Sequence, residues 1–185
     1  MKIIFIRHGK TQGNLRGAYI GRTDEELCLE GIAEIKSKKY PLADVVIASP
    51  MKRCLQTADI IYPDAKKIIC NDLRECDFGD FEGKSYSELN GDDYYQKWID
   101  SFGSLPFPNG EPHENFTERC CGAFERLADE YFGSDIAFVV HGGTIMAVLE
   151  GFSVEGGGFY DFGVKNGCGY IAEYSDKRLC ITEHI

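Results

Sequence analysis

Long apolar runs are missing from this sequence of 185 residues. The stretch Met1-Lys2-Ile3-Ile4-Phe5-Ile6-Arg7 places only four consecutive apolar residues before an arginine. That is far short of a signal-peptide core or of the ~20 residues of a membrane span, so a soluble, cytoplasmic protein is expected. Cations are also in deficit, with 20 Lys plus Arg against 30 Asp plus Glu and a net charge of −10. Nucleic acid and anionic membranes are held by basic surfaces, so neither is an expected partner. No cysteine pair stands at the C-x-x-C spacing of structural zinc or of a redox dithiol. The eight cysteines, Cys28, Cys54, Cys70, Cys76, Cys120, Cys121, Cys168 and Cys180, therefore read as reduced thiols serving as small apolar residues. Internal repeats, low-complexity tracts and interdomain linkers are absent too, which leaves a single domain over 1–185, long enough to bury roughly 70% of its unfolded surface.

What is present is an alternation. Short runs rich in Ile and Val recur at Ile3-Ile4-Phe5-Ile6, Val45-Val46-Ile47-Ala48, Lys67-Ile68-Ile69-Cys70 and Ile136-Ala137-Phe138-Val139-Val140, each suited to a buried strand. Between them lie helical patterns. Over 114–132, Phe116, Cys120, Ala123, Phe124, Leu127, Ala128 and Tyr131 make a core-facing stripe. A second helix is expected to start at Ser49-Pro50, with Ser49 as N-cap and proline at the first helical position. The alternation predicts a three-layer α/β/α sandwich with a mainly parallel sheet, and the tail, 169–184, predicts a hairpin adding an antiparallel edge.

One stretch breaks the pattern. Residues 78–116 hold nine of the 23 aromatics (Phe78, Phe81, Tyr86, Tyr94, Tyr95, Trp98, Phe102, Phe107 and Phe116) and eight acids against two lysines. It reads as a lid-like excursion over one end of the sheet, its rings serving either as a small core of its own or as a stacking surface for a flat ligand.

Ligands of doubly wound sheets gather beyond the carboxyl ends of the strands. Two of the four histidines stand there, in Ile6-Arg7-His8-Gly9 and Val140-His141-Gly142-Gly143. The glycines permit close backbone approach, and Thr11 and Thr144 place hydroxyls beside helix starts that favour anions. Arg7 cannot stay at a buried strand end as an unpaired cation, and Arg53, in the first turn of the next helix, reaches the same edge. Two arginines, two histidines and a helix amino terminus make a phosphate pocket.

These segments resemble the histidine phosphatase superfamily, the branch with cofactor-dependent phosphoglycerate mutases and small phosphatases. The likeness rests on Arg7-His8-Gly9-Lys10-Thr11-Gln12-Gly13-Asn14, Gly21-Arg22-Thr23-Asp24, 48–58 around Ser49 and Arg53, Leu73-Arg74-Glu75-Cys76-Asp77-Phe78-Gly79 running to Gly83, and Val139-Val140-His141-Gly142-Gly143, in the family's order over nearly the whole chain. The resemblance implies a phosphoglycerate mutase-like fold and a phosphohistidine formed on His8. Arg7, Arg53 and His141 would bind the phosphoryl oxygens, with Asn14, Thr11, Gly142 and Arg22 as further phosphate- or substrate-binding residues. Glu75 would be the acid and then the base, its pKa raised by burial or by a neighbour such as Asp77. With arginines neutralising the oxygens, no metal and no cofactor is expected.

Two departures bear on the substrate. Lys10 stands where the family more often has Glu, adding a cation near the pocket mouth, and Asn109 and Pro112 replace a glycine and a serine of a Gly-Gly-Glu-Ser segment. Rival chemistries rank lower: Cys120 and Arg126 fit C-x5-R but inside a helix, a metallohydrolase built on His8 and His141 would set arginines against its cation, and a non-catalytic phosphate-binding module would not need an acid at position 75. A mutase would need extra segments and a seat for a bisphosphate, which the net −6 of 78–116 opposes. The expected reaction is hydrolysis of a small phosphorylated metabolite. Alpha-ribazole 5′-phosphate is a named possibility, since the small alpha-ribazole phosphatases of cobalamin assembly share the amino-terminal segment. Beyond that metabolite, the partner left open is a second copy in a homodimer.

Overall fold

The computed structural model describes residues 1–101 and 103–185. Four strands, β1 (Lys2–Arg7), β2 (Val45–Ala48), β3 (Lys67–Ile69) and β4 (Ile136–Val140), lie parallel, and β5 (Gly169–Ser175) and β6 (Arg178–His184) close one edge antiparallel, in the order β3-β2-β4-β1-β5-β6. The two residues joining β5 to β6, Asp176 and Lys177, have φ of 50° and 57°, the backbone of a tight hairpin turn.

Period-two alternation sorts β1 between two cores. Ile3 and Phe5 face a core shared with α6 (His113–Glu130) and α7 (Gly142–Phe152), while Ile4 and Ile6 face another with Cys54 and Ala58 of α3 (Lys52–Ile61). Helix α2 (Leu29–Ser37) packs on α3. Each fully buried aliphatic or phenyl side chain of this kind contributes about 1.5–3 kcal/mol, which is why both strand faces must be covered. The result is the expected three-layer α/β/α sandwich with a mainly parallel sheet. No helix of the described residues is long and apolar enough to cross a membrane.

Helix α3 starts later than its sequence suggests. Ser49 does not cap it: Met51 occupies the cap position without a side-chain hydrogen bond, because the Ser49 hydroxyl lies 2.7 Å from His141 Nε2. Among the described residues the excursion holds two short α-helices, α4 (Tyr86–Leu89), capped reciprocally by Ser85 and Glu88, and α5 (Asp93–Asp100), capped by Asp92. Phe81, Leu89, Tyr95 and Trp98 bury one another there, with Tyr19, Phe78 and Phe107 packed alongside. Phe116 belongs instead to the main core, and Phe102 lies outside the described residues. A four-residue helix, α1 (Gln12–Leu15), follows β1.

Candidate active site

Strand register decides what meets here. β1 and β4 pair with Arg7 opposite Val140, and the His8 amide donates to the Val140 carbonyl at 3.0 Å. His8 and His141 therefore leave the sheet side by side, their rings 5.2 Å apart at 68°. β2 pairs with β4 on the other side, which sets Ser49 beside His141 and lets Arg53, the second residue of α3, reach back over the strand ends.

Both imidazoles are buried, His8 being 3% exposed and His141 0%. Nδ1 of His8 lies 2.7 Å from the Gly9 carbonyl oxygen. A carbonyl can only accept, so Nδ1 carries the proton and Nε2 keeps the lone pair. His141 is the reverse. Arg53 Nε donates to its Nδ1 at 3.3 Å, so its proton is on Nε2, directed at the Ser49 hydroxyl oxygen 2.7 Å away. Burial first, then the charge of Arg53, holds both rings well below the ordinary 6.5 and neutral near pH 7.

Arg53 is completely buried and has no carboxylate partner in its hydrogen bonds. Its Nη groups donate to the carbonyls of Thr23 and Gly21, both at 2.7 Å, and of Ile20 at 3.3 Å. Arg7 donates to the Val164 carbonyl at 2.7 Å, and its buried Nε has no partner. Two guanidinium groups fixed by neutral oxygens leave the strand ends electropositive, a desolvation cost that a bound anion offsets.

Glu75 borders this centre. Its carboxylate accepts from the amides of Cys76 at 3.0 Å and Gly143 at 3.1 Å. Burial raises its pKa above the ordinary 4.5 in spite of those two donors. Burial is the raising cause, and the Asp77 carboxylate is turned to other partners, Arg22 Nη1 at 3.1 Å and the Gly79 amide at 2.9 Å. The two glycines opening α7 make the approach possible: a Cβ on Gly142 would stand 3.3 Å from the Arg7 guanidinium, and one on Gly143 would collide with Glu75 Oε1.

The remaining sequence candidates divide. Asn14 lies next to His8 through Asn166, whose Nδ2 donates both to the His8 carbonyl at 3.1 Å and to Asn14 Oδ1 at 3.2 Å. That oxygen also accepts from Thr11, so Asn14 keeps its amide nitrogen for a ligand, whereas Thr11 is a helix cap rather than an anion-facing hydroxyl. Thr144 likewise turns away, donating to the Leu73 carbonyl at 3.3 Å. Arg22 sits apart from the histidines, 64% exposed at the mouth. Lys10 adds no free cation there, because Glu30 and Glu34 of α2 hold its ammonium at 2.7 and 2.6 Å. Asn109 takes φ of 56°, supplying the left-handed backbone that a glycine would. Cys120 is buried within α6 and Arg126 points to Asp72, so no phosphate loop joins them. Asn166 and Ser49 were not singled out from sequence as site residues, and they become visible only when β4 and the 163–168 loop are placed around His8 and His141.

Two cavities meet at Glu75. One, about 440 Å³, is of mixed charge, with Arg22, Arg74 and Arg119 among Asp77 and Glu111. The other, about 200 Å³, touches Arg7, Gly142 and Gly143 and is walled by aromatic rings, among them Tyr19, Phe78, Trp98 and Phe107. Among the described residues no group of three or more His, Cys, Asp or Glu side chains is placed to hold a metal ion.

Comparison with known proteins bears on this geometry. The chain matches the histidine phosphatase superfamily (branch 1) over residues 3–184. It is 31% identical to phosphoglycerate mutase-like protein 4 of Arabidopsis thaliana over 161 residues, which is 80% of this chain and 70% of the relative. It is 28% identical to the adenosylcobalamin/alpha-ribazole phosphatase of Escherichia coli, covering 96% of this chain and 92% of that one. A crystal structure of a mutant phosphoserine phosphatase from Entamoeba histolytica, in complex with phosphoserine, superposes with a TM-score of 0.85 at 28% identity, over 99% of this chain and 95% of that one.

Proposed function

From the premise that the chain belongs to the histidine phosphatase superfamily, we propose that it is a metal-independent phosphomonoesterase working through a phosphohistidine on His8 Nε2. The observation that carries this reading is the His8 tautomer: with Nδ1–H bound to the Gly9 carbonyl, a neutral imidazole aims its lone pair into a centre flanked by Arg7 and Arg53.

In the first half-reaction Nε2 attacks phosphorus, the ester P–O bond breaks, and Glu75 delivers its proton to the departing oxygen. The raised pKa of Glu75 is what keeps that proton available. Arg7, Arg53 and the start of α7 neutralise the phosphoryl oxygens. The arriving dianion also raises the pKa of His141; a proton taken up at Nδ1 displaces the Arg53 Nε–H from that lone pair, and both N–H groups are then free to donate to phosphoryl oxygens. In the second half-reaction water attacks phosphorus, its proton passes to the Glu75 carboxylate, and the N–P bond breaks to free phosphate.

Hydrolysis is favoured over a mutase's transfer by the charge of the cavities. The larger pairs Arg22 with Asp77 and Arg119 with Glu111, so the second phosphate of a bisphosphate would compete with carboxylates for the same cations. Alpha-ribazole 5′-phosphate is the first substrate to test, with phosphoserine and 3-phosphoglycerate beside it. The decisive experiment is trapping: the wild type should give an acid-labile, base-stable phosphoryl adduct on His8. An adduct elsewhere, or none during turnover, would refute the mechanism, and binding without turnover of any ester would leave a phosphate-binding module.

A further inference from the structure

Arg53 is held by a turn of backbone, and that turn is held in its own right from the other side. Gly21 and Thr23 each give a carbonyl to the Arg53 guanidinium at 2.7 Å. The same two residues each give their amide N–H to a single oxygen, Oε1 of Glu82, both at 2.9 Å. The Gly21 N–H and the Ile20 carbonyl belong to one trans peptide group, whose two ends point in opposite directions. That carbonyl is the third acceptor for Arg53, at 3.3 Å. A carboxylate and a guanidinium thus face each other across a strip of backbone, with a peptide group aligned between them.

Glu82 comes from the excursion. The Tyr19 amide donates to the Lys84 carbonyl at 3.0 Å and the Gly83 amide to the Tyr19 carbonyl at 2.8 Å, so residues 82–84 lie alongside Tyr19 and deliver the Glu82 side chain to the turn that follows. Its second oxygen, Oε2, is buried without a hydrogen-bond partner, so among the described residues all the side-chain hydrogen bonds of Glu82 go to this turn. A peptide N–H bonded to a carboxylate makes the carbonyl of the same peptide a stronger acceptor. An arginine with no such hold would have to be ordered when the anion arrives, and that ordering is subtracted from affinity.

We infer that Glu82 is a positioning residue for Arg53: by fixing the amides of the 20–23 turn it aims the turn's carbonyls, which hold the guanidinium where it meets the phosphoryl group. This rests on the reading of Arg53 as a phosphoryl-binding group and adds to it a carboxylate that touches neither substrate nor the reacting atoms. It also ties the excursion to the phosphate centre, since the segment that carries the aromatic wall carries this carboxylate too.

The test uses the ligand-free protein with isotope-labelled histidine and nitrogen NMR. In the wild type the Nδ1 resonance of His141 reports the hydrogen bond from Arg53 Nε. Glu82→Ala should move that resonance towards its unbonded position and weaken inorganic phosphate, titrated in the same spectra, by about tenfold. Glu82→Gln keeps an oxygen for both amides and should stay within about threefold of the wild type. Glu82→Asp, a methylene too short to reach the turn, takes the place of Glu82→Ala if that variant does not fold. Stability lost in urea titrations with an unmoved His141 resonance and unchanged phosphate affinity would make Glu82 a structural residue only and overturn the inference. So would a Gln variant as weak as the Ala one, or a wild type that binds no phosphate. Turnover judges the phosphatase separately. Phosphate binding that depends on Glu82 without hydrolysis of any ester sinks the phosphatase and spares Glu82, while hydrolysis by a Glu82→Ala variant of wild-type phosphate affinity does the opposite.

Discussion

At the end of β1 the chain turns so that the Gly9 carbonyl comes back onto the ring of His8, whereas at the end of β4 it runs directly into α7 and His141 is gripped from β2 and α3. Two Val/Ile-rich strands, each closed by His-Gly, thus present opposite ring nitrogens. A carbonyl within reach of Nδ1 leaves the outer nitrogen nucleophilic. A guanidinium N–H at Nδ1 leaves that nitrogen as the lone pair and turns the ring into a brace for Arg53. Neutrality is common to both, since burial imposes it on each, but only at His8 does the lone pair lie on Nε2.

The contrast can be broken most directly by removing each ring. His8→Ala should reduce kcat by about 10⁴-fold or more and abolish the phosphoryl adduct; residual turnover through an adduct on His141 would make the two ends equivalent. Glu75→Gln, which alters the acid held by the Gly143 amide at the His141 end, should cost about 10²–10⁴-fold with alkyl esters and far less with p-nitrophenyl phosphate, whose leaving group needs little protonation. Its pH profile carries the sign. Because the Glu75 pKa is raised, phosphoryl transfer should stay high above pH 4.5 and fall as the pH rises through the shifted value, a limb that the Gln variant lacks.

His141→Ala should cost about 10²–10³-fold in kcat, the magnitude of one lost transition-state donor, while the adduct on His8 still forms. Stability against pH tests the property that the two rings share. Both are held well below 6.5, so as the pH falls under that value the unfolded chain takes up protons that the native one refuses. Each ring then removes about 1.4 kcal/mol per pH unit, a slope that His8→Asn and His141→Asn should relieve equally in urea titrations. Glu75 acts in the opposite sense, gaining its proton in the folded state before the unfolded one as the pH falls towards 4.5, which is why the variants must be compared with the wild type at each pH. Smallest of all, Ser49→Ala leaves the His141 Nε2–H without its acceptor and should cost about 1–3 kcal/mol of stability with no change in the site of phosphorylation.

Much of this was legible beforehand. The strands came from their apolar runs, α6 from its stripe, and the meeting of His8 with His141 from the rule that ligands gather at strand ends. What was misread has a common cause. Ser49 looked like a cap, Thr11 and Thr144 like anion donors and Lys10 like a free cation, because local sequence shows a group's capacity to bond and not the partner that claims it. His141, Asn14, Leu73 and the acids of α2 claim these four. The excursion's rings were read as either a private core or a ligand wall, and they are placed to be both, with Trp98 buried among Phe81, Leu89 and Tyr95 yet bordering the cavity.

Sequence by itself determined the layers, the strand ends and the identity of the charged groups there, because apolar periodicity and the cost of an unpaired cation are properties of short segments. Only the tertiary structure decided which nitrogen of each histidine bears the proton and what holds Arg53 and Arg7. Those choices depend on carbonyls and amides delivered from far along the chain, as Val164 is to Arg7 and Asn166 to His8, and a hydrogen bond has a direction that no residue pattern encodes.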